Sequence, residues 1–137
     1  MNEYIQLAII ESKKSLKTND VPIGCVIVKN NKIIAKAHNK REKNKNITHH
    51  AEILALIKAN KKLKTWHLDG CIMYVTLEPC MMCTGAILQS HIKKIIYCAE
   101  NEKTGYAKNC KNLETILEES IEYQNLLKNF FKNLRMK

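Results

Sequence analysis

His50-Ala51-Glu52 and Pro79-Cys80-Met81-Met82-Cys83 are the stretches of this 137-residue chain whose residue types can act together. One imidazole and two thiols suit zinc. Three protein ligands leave its fourth position open to water, which separates a catalytic zinc from a structural one. Cys80 and Cys83 stand three apart where a helix is predicted to start. That spacing puts both sulfurs on one face, a turn apart. The partial positive charge and free N–H groups of a helix N-terminus favour thiolates over thiols. Water on such a zinc reaches a pKa of about 7, so hydroxide is available near neutral pH. Glu52 lies two residues beyond His50, and positions i and i+2 do not share a helix face. It is therefore read as a free carboxylate rather than a ligand. Beside the water it can take a proton and deliver it to a ring nitrogen and then to a leaving amine. The chemistry that follows is hydrolytic removal of an amino group from a heterocycle.

Two plainer readings compete. A CxxC pair alone serves a structural zinc or a redox couple. The redox reading leaves His50 and Glu52 without a purpose. The structural reading needs a fourth ligand, for which His38, His49, His67 and His91 are the candidates, and none has a ligand-like spacing to another. A non-catalytic zinc module that binds RNA or protein stays open on the residues alone.

The elements that must position these residues follow from periodicity. Tyr4, Ile5, Ala8, Ile9, Ser12 and Leu16 form one stripe of a helix over residues 3–16, which Asn19-Asp20-Val21-Pro22 ends. Ile23 to Lys29 and Lys32 to His38 read as strands joined by the two-residue turn Asn30-Asn31. Residues 39–48 read as a surface loop. Thr48 is the expected cap of a helix from His49 or His50 to about Asn60, burying Ile53, Leu54 and Ile57. Cys71 to Leu77 and Lys93 to Ala99 read as strands, with a helix opened by Pro79 and running to Gln89 between them. A loop is expected over 101–109. The tail from Asn112 to Arg135 fits one long helix, broken near Glu119, and Leu113 to Leu117 is the only candidate for a fifth strand. Strands alternating with helices imply a sheet with at least one parallel pair, covered on both faces.

A chain of this length makes one domain, here 1–137, and buries roughly 68% of its unfolded surface. The net charge of +10 attracts phosphate-rich partners. Of the 23 basic residues 21 are Lys, a bias that AT-rich coding also produces, so charge alone selects no partner. No apolar run is long enough to span a membrane and the start lacks a signal-peptide pattern, so a cytoplasmic location is expected. Cys25, Cys71 and Cys98 lie in apolar runs and read as small buried hydrophobes, whereas Cys110 lies in a polar stretch.

Several stretches together carry a resemblance. They are Val21-Pro22-Ile23-Gly24, His50-Ala51-Glu52, Tyr74 through Cys83, Gly85-Ala86-Ile87, Lys103-Thr104-Gly105 and Leu126 through Phe131. In these the chain resembles the bacterial tRNA-specific adenosine deaminases of the cytidine deaminase superfamily. The zinc motif alone points only to the superfamily; Leu-Glu-Pro-Cys-x-Met-Cys with the later Lys-Thr-Gly points to the tRNA branch. The resemblance implies a three-layer α/β/α fold with a mixed central sheet of four to five strands. It implies one zinc per subunit on His50, Cys80 and Cys83, with Glu52 as the proton shuttle. It implies that Asn39 bonds the target nucleotide and that Asp20 lines the base pocket. Ala51, Asn101, Lys103, Thr104 and Gly105 complete the substrate set. Lys93, Lys94, Lys132 and Arg135 either face phosphates or are solvated. The implied substrate is the wobble adenosine of an arginine tRNA anticodon, converted to inosine by a homodimer. A single-stranded anticodon loop presents its bases at low unstacking cost. The chain departs from the family at His49, where Ala is usual, and at Asn101, where Asp is common. It is also shorter after Gly105. Loss of a negative charge at Asn101 predicts weaker discrimination between RNA and DNA. The rival within the superfamily is a small-molecule deaminase of guanine, cytosine nucleosides or a riboflavin precursor.

Overall fold

The computed structural model describes residues 2–136. Helix α1 (Glu3–Lys14) is capped by Asn2, whose side chain accepts from the Tyr4 N–H at 2.7 Å. A 3₁₀ turn continues it to Thr18. Strands β1 (Gly24–Lys29) and β2 (Lys32–His38) form the expected hairpin. Asn30 and Asn31 both take positive φ, at 50° and 62°, the backbone that a two-residue hairpin turn requires and Asn tolerates. After β2 come α2 (Arg41–Asn44), α3 (Ala51–Leu63), β3 (Cys71–Leu77), α4 (Met81–Gln89), β4 (Lys94–Ala99), β5 (Glu114–Leu117) and α5 (Ile121–Arg135).

The sheet order is β2-β1-β3-β4-β5. Strand β1 is antiparallel to both β2 and β3, and β3, β4 and β5 run parallel. The sheet is therefore mixed and five-stranded. Its two faces bury separate cores. Cys25, Ile27, Met73, Val75, Ile95 and Tyr97 meet α3 and α4 through Ala55, Ala59 and Ile87 on one side. Val26, Val28, Tyr74, Ile96 and Cys98 meet α1 and α5 through Ile5, Ala8, Ile9 and Tyr123 on the other. Strict alternation along central strands buried on both faces produces this split. Helix α1 lies so near β1 that a Cβ on Gly24 would collide with the backbone of Ala8 and Ser12. The three apolar-run cysteines are buried, and Cys110 is half-buried against the first core.

Some expectations need correcting. Residues 39–48 are not all loop, because Asp20 caps α2 within them. His50, not Thr48, is the N-cap of α3, and the Thr48 hydroxyl donates to Asn46 instead. That helix buries Ala51, Glu52, Ala55, Leu56 and Ala59, leaving Ile53 and Leu54 half-buried and Ile57 44% exposed. The alanine seam lets the helix lie close to the sheet. Leu16, expected on the buried stripe of α1, lies beyond it in the 3₁₀ turn and is 37% exposed, while Glu11 of α1 is buried, its carboxylate reaching Lys14 and His38. The tail is not one long helix. Residues 114–117 pair with β4 as an edge strand, and α5 starts only where the Ser120 hydroxyl accepts the Tyr123 N–H. No helix among the described residues is long and apolar enough to cross a membrane.

Candidate metal centre and substrate site

The site forms where two helix starts converge beyond the carboxyl ends of β3 and β4. His50 and Cys80 are the N-cap residues of α3 and α4, and neither cap is filled by its own side chain. Cys83 sits one turn into α4, fully buried. His50 Nδ1 lies 3.5 Å from Cys83 Sγ and 3.8 Å from Cys80 Sγ. The three ligand atoms all fall within 4.8 Å of one another. A tetrahedral zinc with legs of about 2.1 Å to nitrogen and 2.3 Å to sulfur requires N···S edges of about 3.6 Å. The residues present therefore fit the metal that their types suggest.

The local electrostatics favour ligation. Hydrogen bonding from Cys83, then from His50, holds the Cys80 thiol down at about 4. The same contact with Cys80, together with burial, pushes Cys83 up. Cys80 is thus the readier thiolate of the two, and a cation bound here would displace the Cys83 proton. His50 is raised chiefly by its hydrogen bond to Cys80.

Glu52 is 3% exposed and sits in the first turn of α3. It lies outside the ligand triangle, as its i+2 position requires. Burial raises its carboxyl to about 7, against the lowering effects of its own backbone N–H, of His50 and of the Cys83 thiol. Its Oε1 is buried without a hydrogen-bond partner. Such an oxygen is costly unless the site brings a partner to it.

The other predicted residues are placed as follows. Asn39 is buried at the end of β2, where its amide donates to Val21 O and accepts from the Arg41 N–H. The Lys40 N–H donates to His49 O at 3.0 Å, tying this strand end to the start of α3. Asp20 is fully buried, and both of its oxygens accept main-chain N–H groups, from Glu42 and Lys43, with Thr18 donating to one of them. It holds the 41–44 turn in place. His49 faces Asn44 and Asn46, both within 3.1 Å of its ring nitrogens, and is not part of the ligand triangle. Ala51 is buried in the first turn of α3. Asn101 and Thr104 bond each other twice, at 2.8 and 3.1 Å, closing a turn that carries exposed Lys103. Gly105 bridges to Cys80, and the Tyr106 N–H donates to Pro79 O, so this loop docks directly on the turn that opens α4 and carries Cys80.

Two features escaped the sequence reading. Glu78, 1% exposed, accepts the N–H groups of Asn101 and Lys108 and so ties the 101–108 loop to the end of β3. A Cβ on Gly105 would strike that carboxylate and Asn101 O. The sequence signals were a glutamate beside Pro79 after an apolar run and its place in the Leu77-Glu78-Pro79-Cys80 stretch, neither of which gives its partners. Second, His67 and His91, separate in sequence, meet at Asp69.

An α/β/α sandwich that gathers an imidazole and two thiols at the carboxyl end of parallel strands defines the class, that of the nucleobase deaminases. A profile of the MafB19-like deaminase family matches residues 1–135. The chain belongs to this deaminase family and, within it, groups with the tRNA-specific adenosine deaminases. It is 39% identical to the tRNA-specific adenosine deaminase of Aquifex aeolicus, over 96% of its own length and 94% of that protein's. A solved structure from work on A-to-I editing by tRNA:A34 deaminases at the wobble position superposes with a TM-score of 0.80. It is 30% identical, over 85% of this chain and 97% of that one. The guanine deaminase of Bacillus subtilis superposes with a TM-score of 0.69 at 29% identity, over 100% of this chain and 96% of that one.

Proposed function

We propose that the protein converts adenosine to inosine at the wobble position of a tRNA anticodon, that of an arginine tRNA, with one zinc per subunit. The observation that carries this reading is Glu52: a buried carboxylate beside the three ligands, with one oxygen awaiting a partner. His50, Cys80 and Cys83 hold the metal. Zinc bound there supplies Lewis-acid activation of water near neutral pH. Glu52 is placed to move two protons in turn: the one water gives up as its oxygen adds to the ring carbon goes to the adjacent ring nitrogen, and the one left on the added hydroxyl goes to the amino group, which departs as ammonia as the C=O forms.

Asn39, Asp20 and Ala51 form or brace the base pocket, and Asn101, Lys103, Thr104 and Gly105 meet the nucleotides flanking the target. The loop's docking against Pro79 and Cys80 supports this role, because it sets those residues beside the metal. The charge of +10 suits an RNA partner. A homodimer is supported by Met81 and Ile57, exposed at 67% and 44% on the α3–α4 layer, and by open space over Gly85. A cytoplasmic enzyme is the matching setting.

The test is inosine formation in an anticodon stem-loop, set against ammonia release from guanine and from cytidine. Turnover confined to the stem-loop is expected. Turnover of guanine alone would instead assign the small-molecule role. Zinc binding with no turnover on any substrate, unaffected by Glu52→Ala, would assign a non-catalytic zinc module.

A further inference from the structure

At the opposite end of β3 a second trio of ligand types meets. Its distance from the first site is roughly 20 Å, given seven strand residues at about 3.3 Å each. His91 Nδ1 lies 3.2 Å from Asp69 Oδ1, and His67 Nδ1 lies 4.0 Å from the same oxygen. All three ligand atoms fall within 4.8 Å of one another. The backbone brings them together. The Leu68 N–H donates to Ser90 O at 2.8 Å, and Leu68 and Ile92 are both buried. The turn before β3 is thereby pinned to the turn before β4, and His67 and His91 emerge side by side. His91 takes a left-handed backbone, φ 72°, a conformation uncommon for a residue with a side chain. Trp66 stacks on the His67 ring at 3.7 Å and meets the His91 ring edge-on at 5.5 Å.

We propose that His67, Asp69 and His91 form a second metal site, which takes a borderline divalent transition-metal ion such as zinc, nickel or copper(II). Imidazole suits those ions, and the two of this trio, with one carboxylate, favour them over the oxygen-seeking calcium and magnesium. Donor–donor edges of about 3–3.5 Å are needed around an ion with legs of about 2.1 Å. The 3.2 Å edge already meets this, and the half-exposed side chains, at 49%, 71% and 44%, can close the rest. As a plain ion pair such an exposed cluster would contribute little to stability. As a chelate it clips two turns of the sheet end together. Lys93 and Lys94 line the adjoining hollow of about 370 Å³ and oppose a cation there, Lys94 being partly offset by Glu114 at 4.0 Å.

Trp66 is the only tryptophan in the chain, which makes it the reporter. Zinc-loaded protein, with its first site filled, is titrated with Ni²⁺ while Trp66 fluorescence is followed. Metal content is counted after dialysis. Saturable quenching and one nickel beside one zinc per chain are expected, with a nickel-dependent rise in Tm. Asp69→Asn and His91→Asn should each weaken nickel binding by roughly tenfold or more, leaving the zinc count and the nickel-free Tm as they were. Asn accepts the left-handed backbone at position 91, so that variant separates lost ligation from misfolding. No second equivalent of metal, or quenching of equal affinity in both variants, overturns the site. Because the zinc at His50, Cys80 and Cys83 is counted separately, neither outcome bears on the proposed deamination.

Discussion

Strand β3 runs between two trios of metal-ligand residue types that share little beyond their number. At its carboxyl end, His50, Cys80 and Cys83 sit at helix starts, buried or half-buried, with the Glu52 carboxylate beside them and a loop docked against them. At its amino end, His67, Asp69 and His91 are exposed, with their polar atoms turned toward one another. The difference lies in what surrounds the ligands. Burial gives the first trio a carboxylate whose charge is expensive and whose oxygen lacks a partner, which is the condition for proton transfer. The second trio is proposed to hold an ion, but its three side chains are exposed to solvent and, among the described residues, no buried unpartnered carboxylate accompanies it.

The largest effect expected from this contrast falls on Glu52. Glu52→Gln should lower the rate of inosine formation by about 10²–10⁴-fold with zinc content unchanged, while Asp69→Asn leaves the rate alone. Single-turnover assays paired with metal analysis check this. Equal losses in the two variants would erase the distinction between the ends.

Two glycines sharpen it next. Gly105→Ala drives a methyl into the Glu78 carboxylate and Asn101 O, an overpacking that costs about 1–3 kcal/mol. It should lower both Tm and kcat/KM as the loop shifts. Gly70→Ala at the other end meets only Lys29 Cε at 3.8 Å. Its cost is backbone strain at φ 79°, about 1 kcal/mol, and kcat/KM should stay level. Thermal unfolding and steady-state kinetics on the two variants compare them directly.

A smaller effect is expected at Asn101. Its Oδ1 accepts the Thr104 N–H, a bond that Asp can keep, and its amide donates to the Thr104 hydroxyl, a bond that Asp keeps only with the hydroxyl turned to donate, so Asn101→Asp changes charge more than shape. The variant should favour RNA over DNA stem-loops by several-fold more than the parent. An unchanged ratio would remove the proposed role of this position.

The smallest is a pH slope at His38, near the end of β2 that carries Asn39. Burial, then Lys40, lowers its pKa from 6.5. The unfolded chain therefore binds the proton more readily. The stability contributed is full above 6.5 and is lost as the pH falls through the lowered value. His38→Gln should flatten the fall of Tm on acidification from 6.5, and an equally steep fall in the variant would assign the slope to other groups.

How much could be read in the residues themselves follows from which interactions are local. That His50, Cys80 and Cys83 come together was legible because residue type and short spacing carry the signal, and the Asn30-Asn31 turn because a two-residue turn needs positive φ. The fifth strand lies within the Leu113 to Leu117 stretch proposed for it, whereas the long tail helix was misread, since Leu113, Ile116 and Leu117 keep helical intervals while residues 114–117 form an edge strand that leaves Ile116 and Leu117 about 40% exposed. The buried seam of α3 was misread because Ala51, Ala55, Leu56 and Ala59 fill the core, with Leu54 packed only partly buried against it and Ile57 exposed. Glu78 and the meeting of His67 with His91 were illegible, as both depend on main-chain bonds between segments that are distant in sequence.

The central claim is that the chain supplies three ligands and withholds the neighbouring acid. Zinc K-edge X-ray absorption on protein carrying one zinc per chain measures this directly. Two sulfur neighbours, one imidazole and one exchangeable light atom are predicted, unchanged in Glu52→Gln. A fourth ligand from the chain, whether His49 or the Glu52 carboxylate, would contradict it.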